Sequence, residues 1–132
     1  MTSTIEVRVY YEDTDLAGIV YYANYLKFIE RGRTEFVRGA GIDQGSLKTE
    51  DDIVFAVRSI NAKYLTPARF DDVLQVRTEI VKLGAASVDM QQDIFRGETL
   101  VFSAHVGLVS MTSGGKPKRI PADLRASLGQ QA

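Results

Sequence analysis

The sequence contains no cysteine and no tryptophan, and it has a single histidine. Without cysteine the chain can form no disulfide, zinc finger, iron–sulfur cluster or thiolate nucleophile, and one histidine cannot build a multi-histidine metal site. We therefore expect no metal and no cofactor. Basic residues number 16 and acidic residues 17, which gives a formal net charge of −1 at pH 7. No positive field exists to attract nucleic acid, so we expect no nucleic-acid partner.

The chain also lacks a long apolar run, and its N-terminus has no basic segment followed by an apolar core. We therefore expect no membrane span, no secretory signal and a cytoplasmic location. Apolar residues make up 45% and charged residues 25%, which are ordinary values for a globular protein and exclude disorder, collagen and coiled coil. The length predicts a single domain over residues 1–132.

The apolar residues follow two different periods along the chain. Residues 4–11 alternate between apolar and polar, which predicts a half-buried strand. From about Val20 to Ala40 the apolar residues recur at helical spacing, and glycines supply the stop. Gly32 lies on the apolar stripe of this helix, where a glycine allows close approach to a sheet.

The remainder of the chain is typical of β-structure. Apolar or alternating segments predict four strands, at 53–65, 72–83, 87–96 and 99–111, and a last short helix near 121–125. Short turns join these strands, and short turns require antiparallel pairing. The segment 99–111 is apolar on both faces, which favours a central strand. The predicted fold class is α+β, with one long helix packed on a five-stranded antiparallel sheet.

Several motifs that carry chemistry can be tested and set aside. The sequence has no G-x-S-x-G elbow, H-E-x-x-H pair, Walker A loop or G-x-G-x-x-G. Asp13 to Gly18 imitates the start of a calcium loop, but Ala17 and Asn24 stand where ligands are needed. No strained serine turn accompanies His105, so we expect an ordinary, partly buried histidine within a strand.

The segment from Tyr10 to Tyr25 is where the sequence can support catalysis. It places carboxylates a few residues before a helix N-terminus, whose backbone N–H groups can polarise a carbonyl. Acyl transfer needs a nucleophile or base together with donors aimed at the developing oxyanion. The same spacing also fits an aspartate that only caps the helix, which is the commoner role.

A close resemblance to a known family begins at Tyr10 and runs to Arg38, over YYEDTDLAGIVYYANYLKFIERGRTEFVR. This stretch resembles the YbgC-type (Tol–Pal-associated) acyl-CoA thioesterases and the related 4-hydroxybenzoyl-CoA thioesterases. The segment from Tyr64 to Asp72, YLTPARFDD, is similar to a second common segment of these enzymes. The resemblance implies a hot-dog fold, hydrolysis of an acyl-CoA or acyl-carrier-protein thioester, and homodimers or homotetramers with each active site near a subunit boundary. Coenzyme A would be part of the substrate.

The resemblance also assigns roles to individual residues. The family's catalytic aspartate falls on Asp15, which would either attack the thioester carbonyl or activate water. The oxyanion donor, a backbone N–H at the helix start, falls on Tyr22, and Gly18 belongs to the loop that lets the thioester approach. Asp13 is expected to be structural, as a hydrogen-bond acceptor of the loop. Glu35 is a reserve carboxylate.

Two departures from the family pattern affect substrate choice. YbgC-type members usually carry histidine where this chain has Tyr22, whereas the hydroxybenzoyl-type enzymes carry tyrosine there. The hydroxybenzoyl-type enzymes also hold coenzyme A phosphates with basic residues in the turn after the third strand, which here is 84–86, Gly-Ala-Ala. The compensating basic cluster is Lys116, Lys118 and Arg119, which fits phosphate contact and a solvated loop equally well.

Two other functions compete with thioester hydrolysis. One is a hot-dog hydratase or dehydratase, which would need His105 in its active site, outside the helix-junction motif. The other is a binding module, an acyl or carrier-protein receptor of an envelope-linked (Tol–Pal) assembly with weak hydrolysis. An assay of thioester hydrolysis separates the enzyme from the binding module.

Overall fold

The elements of the fold follow the order that the sequence predicts. The computed structural model describes residues 2–129. The order is β1 (Ser3–Arg8), a 3-10 turn (Tyr11–Asp13), α1 (Asn24–Gly39), α2 (Gln44–Ser46) with a π-helical turn (Leu47–Asp51), β2 (Val54–Tyr64), β3 (Val73–Leu83), β4 (Ser87–Arg96), β5 (Thr99–Met111) and α3 (Ala122–Gly129). Over residues 2–129, no helix combines the length and apolar character that crossing a membrane requires.

All five strands form one sheet in the order β1–β3–β4–β5–β2, and every neighbouring pair is antiparallel. The α+β class and the five-stranded antiparallel sheet are thereby confirmed. β4, rather than β5, is the middle strand, although β5 has a partner on both sides. β1 and β2 are the two edges, and each pairs with a single neighbour.

The connection between β2 and β3 departs from the simple order of hairpins. β2 pairs with β5, and β3 pairs with β1, so the short-turn prediction holds for β3–β4 and β4–β5 but is wrong for β2–β3. Residues 65–72 instead carry the chain from one edge of the sheet towards the other. A tight hairpin needs a loop of about two to five residues, and this longer link can span the ends of β5 and β4.

Helix α1 packs across one face of the sheet. Phe28, Ile29 and Phe36 on its inner stripe are fully buried. A Cβ on Gly32 would lie 2.9 Å from both Thr78 Oγ1 and Val76 Cγ1, so the predicted close approach of helix and sheet is confirmed. Only glycine permits this contact, because real Cβ atoms essentially never lie so close to other heavy atoms.

A buried polar group fastens α1 to the sheet beside this contact. The fully buried Gln92 donates from Nε2 to the Ile29 carbonyl at 2.8 Å and to Thr78 Oγ1 at 2.9 Å. Its Oε1 accepts from Arg33 Nη1 at 3.0 Å. Burial lowers the pKa of the Arg33 guanidinium. The polar atoms of Gln92 are thus satisfied inside the core, as buried amides require.

The opposite face of the sheet is polar, and it carries the histidine. His105 lies opposite Gln91 on β4, and its Nε2 is 3.9 Å from Asp89 Oδ1. His105 lies within β5 and is partly buried, as expected, since about half of its side chain is exposed, at 48%. This exposure follows from alternation, which puts His105 on the outward face of β5 while Ala104 and Val106 point into the core.

Candidate active site

The loop between β1 and α1 is held by Asp13. Its side chain is buried, and Oδ2 accepts a hydrogen bond from the Tyr10 N–H at 2.7 Å. Its backbone carbonyl accepts two further bonds, from the Tyr21 N–H and from Asn24 Nδ2, both at 2.9 Å. These contacts give Asp13 the structural role expected from the sequence, with the carbonyl as well as the carboxylate serving as acceptor.

Asp15 lies two residues further along and is exposed. Its N–H donates to the Ile19 carbonyl at 3.0 Å, and its Oδ1 accepts from the Ala17 N–H at 2.9 Å. Gly18 closes this turn with a φ of +79°, a conformation that suits glycine. The turn presents the Asp15 carboxylate at the surface with one of its oxygens engaged by the loop's own backbone.

Neither aspartate caps α1. Ala23 is the N-cap residue, and no side chain makes a capping hydrogen bond there. Capping, the commoner role for an aspartate before a helix, is therefore wrong for this site. Backbone carbonyls occupy two N–H groups of the first turn, since Asn24 donates to the Tyr21 carbonyl and Leu26 to the Ala23 carbonyl.

Tyr22 lies in the chain between two residues, Tyr21 and Asn24, that donate hydrogen bonds to the Asp13 carbonyl. The Asn24 N–H also donates to the Tyr21 carbonyl at 2.8 Å. Within residues 2–129 the Tyr22 N–H donates to no protein acceptor. An N–H that is held in place without an acceptor can bind the oxygen of a substrate carbonyl.

The link between β2 and β3 folds against this helix start. The Val20 N–H donates to the Ala68 carbonyl at 2.8 Å, and the Ala68 N–H donates to the Tyr25 hydroxyl oxygen at 3.2 Å. Arg96 also binds this link, since its guanidinium donates to the Pro67 carbonyl at 2.9 Å and to Asp72 Oδ2 at 3.1 Å. The two sequence segments that resemble the family, 10–38 and 64–72, are therefore joined by direct hydrogen bonds.

An aromatic pocket that the sequence did not predict opens beside Tyr22. The Tyr25 and Phe102 rings stack at 5.1 Å between centroids, and the Tyr64 ring meets both edge-on, at 5.6 and 5.2 Å. The pocket measures about 190 Å³ and is lined by Ile19, Val20, Tyr22, Tyr25, Tyr64, Leu65, Thr66 and Pro67. The signal was the set of tyrosines shared by the two family-like segments, but their meeting depends on the pairing of β2 with β5.

Burial shifts the titration of two tyrosines in this pocket. Desolvation raises the pKa of Tyr25, against a smaller lowering by the bond from Ala68. Desolvation also raises the pKa of Tyr64, with a further contribution from Tyr22. Both hydroxyls therefore keep their protons throughout the neutral range.

The structure does not bring the predicted basic cluster to this site within one chain. Lys116, Lys118 and Arg119 follow β5, and the Lys118 ammonium donates to the Asp51 carbonyl near the start of β2. Phe102 packs beside the aromatic pocket, and Met111 is the last residue of the same strand. About nine residues at 3.3 Å each separate them, so the basic cluster lies roughly 30 Å from the pocket. In a single chain, these three residues and Asp15 lie at opposite ends of the sheet.

The other candidate groups are also remote from Tyr22. Glu35 is ion-paired with Arg38 on the surface of α1. His105 lies on the outer face of the sheet, on the side away from α1. Over the described part of the chain, no group of three or more histidine, aspartate or glutamate side chains could hold a metal ion.

Comparison with known proteins connects this geometry to a family. A family model described as the thioesterase superfamily matches residues 17–103. The chain belongs to the thioesterase superfamily. This thioesterase is 40% identical over 126 residues to the acyl-CoA thioester hydrolase YbgC of Escherichia coli, which covers 94% of the chain and 93% of that protein. The predicted YbgC-type membership is therefore confirmed, and the chain is a thioester hydrolase.

Solved structures confirm the hot-dog fold of the thioesterase. A probable thioesterase from Bartonella henselae superposes with a TM-score of 0.88 at 36% identity, covering 92% of this chain and all 100% of that one. 4-Hydroxybenzoyl CoA thioesterase superposes with a TM-score of 0.89 at 25% identity, covering 96% of this chain and 98% of that one. The second structure is of an aspartate-to-asparagine mutant complexed with 4-hydroxybenzoyl CoA.

Proposed function

We propose that this thioesterase hydrolyses acyl-CoA, with Asp15 as the nucleophile or general base and the Tyr22 N–H as the oxyanion donor. The observation that carries the proposal is the Tyr22 N–H, which donates to no acceptor in residues 2–129 although the residues on both sides of it are anchored to the Asp13 carbonyl. The same carbonyl belongs to the loop that carries the exposed Asp15 carboxylate. Hydrogen bonds to the Asp13 carbonyl oxygen therefore connect the segment that carries the Tyr22 N–H to the loop that carries the Asp15 carboxylate.

Two routes are open to Asp15, and both balance. As a nucleophile, a carboxylate oxygen bonds to the thioester carbonyl carbon, the C–S bond breaks, coenzyme A leaves as its thiolate, and water then hydrolyses the mixed anhydride. As a general base, the carboxylate takes a proton from a water molecule that attacks the same carbon, and that proton passes to the leaving thiolate. In both routes the Tyr22 N–H binds the oxygen that gains negative charge, which is commonly the largest single contribution to such catalysis.

The names of the similar proteins support the reaction and the acid. The relative from Escherichia coli is named an acyl-CoA thioester hydrolase, and the solved 4-hydroxybenzoyl CoA complex used an enzyme in which one aspartate was changed to asparagine. Replacing a catalytic carboxylate by its amide is a usual way to keep a substrate intact in a crystal. We take this as support for an aspartate in the reaction, and acyl carrier protein is a second acyl donor that the proposal includes.

The basic cluster enters the proposal through a second copy of the chain. If edge strand β2 pairs antiparallel with β2 of another copy, the Val54 end of one strand lies beside the Tyr64 end of the other. The cluster at 116–119 would then approach the active site of the partner rather than its own. In this arrangement Lys116, Lys118 and Arg119 would be placed to bind the coenzyme A phosphates of the partner's substrate, and each active site would lie near a subunit boundary.

The proposal is tested by measuring release of free thiol from a panel of aliphatic and aromatic acyl-CoAs, with and without a chelator. We expect hydrolysis of at least one substrate and no effect of chelation, since no cofactor is proposed. Asp15→Asn should lower kcat by at least about 100-fold with unchanged thermal stability, because its carboxylate is exposed. Asp13→Asn should lower stability by about 1 kcal/mol, because the buried oxygen that accepts from the Tyr10 N–H loses its negative charge, and it should affect kcat less.

Three results would contradict the proposal in different ways. Binding of acyl-CoA without hydrolysis would favour the binding module. A near-normal kcat in Asp15→Asn would move the chemistry to another acid. Loss of activity on chelation, restored by one metal, would require a cofactor after all.

A further inference from the structure

The carbonyl of Tyr22 is not part of the helix. In a helix the Tyr22 carbonyl would accept from the Leu26 N–H, but that N–H donates to the Ala23 carbonyl at 3.2 Å. The partner of the Tyr22 carbonyl is instead the Tyr64 hydroxyl, which donates to it at 3.2 Å. Tyr64 is the last residue of edge strand β2, so this bond joins the sheet edge to the start of α1.

The two peptide groups that flank the Tyr22 Cα are therefore fixed by different partners. The Tyr21 carbonyl, in the same peptide group as the Tyr22 N–H, accepts from the Asn24 N–H at 2.8 Å. The Tyr22 carbonyl, in the next peptide group, accepts from Tyr64. Without the second bond, the Tyr22–Ala23 peptide could turn, which changes the ψ angle of Tyr22. A compensating change in the φ angle of Tyr22 would tilt the Tyr21–Tyr22 peptide group that carries the N–H.

We propose that Tyr64 is a positioning residue for catalysis, because its hydroxyl fixes the orientation of the Tyr22 backbone whose N–H binds the oxyanion. The inference rests on the proposed function and adds to it a residue that lies in the second family-like segment but to which the resemblance gives no role. Tyr64 acts through Tyr22 and need not touch the reacting atoms.

The surroundings of Tyr64 suit this role. Its ring packs edge-on against Phe102 at 5.2 Å, Tyr25 at 5.6 Å and Tyr22 at 6.1 Å, so the ring position is determined before the hydroxyl makes its bond. Desolvation raises the pKa of Tyr64, so the hydroxyl keeps the proton that it donates. Removing the hydroxyl oxygen alone would leave these ring contacts in place.

The test is Tyr64→Phe, compared with Tyr11→Phe as the matched control. Tyr11 is 84% exposed, and its ring contacts Phe70 rather than the helix start. We expect Tyr64→Phe to lower kcat about 10-fold with KM changed less than about twofold, since a displaced oxyanion donor affects the transition state and not substrate binding. An S-alkyl-CoA thioether, which lacks the thioester carbonyl oxygen, should bind wild type and Tyr64→Phe with equal Kd.

Several outcomes would overturn the inference. One is a Tyr64→Phe variant with unchanged kcat. Another is a variant with normal kcat but a higher KM and a higher thioether Kd. A third is a fall in the thermal stability of Tyr64→Phe that accounts for its lost activity. Tyr11→Phe should behave as wild type throughout. If wild type hydrolyses acyl-CoA and Asp15→Asn does not, a normal Tyr64→Phe refutes the role of Tyr64 alone. If wild type hydrolyses no substrate, the proposed function has failed as well.

Discussion

Among single residues, Gly32 sets how closely α1 approaches the sheet. A Cβ added there would lie 2.9 Å from Thr78 Oγ1 and Val76 Cγ1, whereas one added to Gly39 at the end of the same helix would meet no atom within 4 Å. We expect Gly32→Ala to lower the free energy of unfolding by about 1–3 kcal/mol, because the buried neighbours cannot move aside. Gly39→Ala should raise it by up to about 1 kcal/mol through helix propensity.

Urea denaturation of both glycine variants measures this difference. The two substitutions add the same methyl group to the same helix, so opposite signs isolate the effect of the contact with β3. Equal stability of the two variants would show that the helix can move away from the sheet at no cost.

At the scale of elements, Asp52 connects the turn before β2 to the turn after β5. It has a left-handed φ of +51°, and its Oδ1 accepts from the Ser113 N–H at 2.9 Å and from Ser113 Oγ at 2.8 Å. These bonds lower the pKa of the Asp52 carboxyl, chiefly through the backbone N–H. A carboxyl with a depressed folded-state pKa stabilises the fold above its unfolded pKa, and this stabilisation disappears as the pH falls through the folded-state value.

We therefore expect wild type to be more stable than Asp52→Asn at neutral pH, and the difference to vanish in acid, once Asp52 is protonated. Asparagine keeps the acceptor oxygen and tolerates the left-handed conformation, so the comparison isolates the charge. Thermal unfolding across the acidic range, with Asp51→Asn as the control that leaves the Ser113 bonds intact, measures the effect. A difference that persists at the lowest pH would contradict the role of the charge.

The elements themselves were largely predictable, and so were the pairs β3–β4 and β4–β5, but the partners of β1 and β2 were not. Alternation of apolar and polar residues predicts β3 and β4 to within one residue of their observed bounds, because one face of each strand is buried against α1. The partner of β2 depends on contacts some 40 residues away, such as Tyr64 with Phe102, which no local pattern encodes. The same long-range pairing creates the aromatic pocket and separates the basic cluster from Asp15, so both escaped prediction from sequence.

In the whole molecule, edge strand β2 and the neighbouring face of α1 expose a line of apolar side chains. Val57 is 45% exposed, Ile60 38% and Leu26 37%, and β2 pairs on one side only. An edge strand with apolar side chains is a template for pairing with another chain. We expect a homodimer or homotetramer in solution, with β2 in the interface.

Light scattering on purified variants tests this assembly. Ile60→Asp should shift the mass towards that of a single chain, because it places a charge in the interface. Val81→Asp, at an exposed position on β3, should leave the mass of the assembly unchanged. A wild-type protein that is monomeric at assay concentration would refute the expectation, as would an Ile60→Asp variant that still assembles.

The sheet order also has a consequence for how the chain folds. The meander β3–β4–β5 closes through turns of a few residues, whereas β1 must find a partner about 75 residues away, as Ser3 does with Thr78. Because closing long loops slows folding, the transition state should contain the meander before β1 joins it. Ile94→Val in β4 should then mainly slow folding, and Val7→Ala in β1 should mainly speed unfolding, in stopped-flow chevrons. The reverse assignment would mean that folding begins at the end of the chain that carries Asp15.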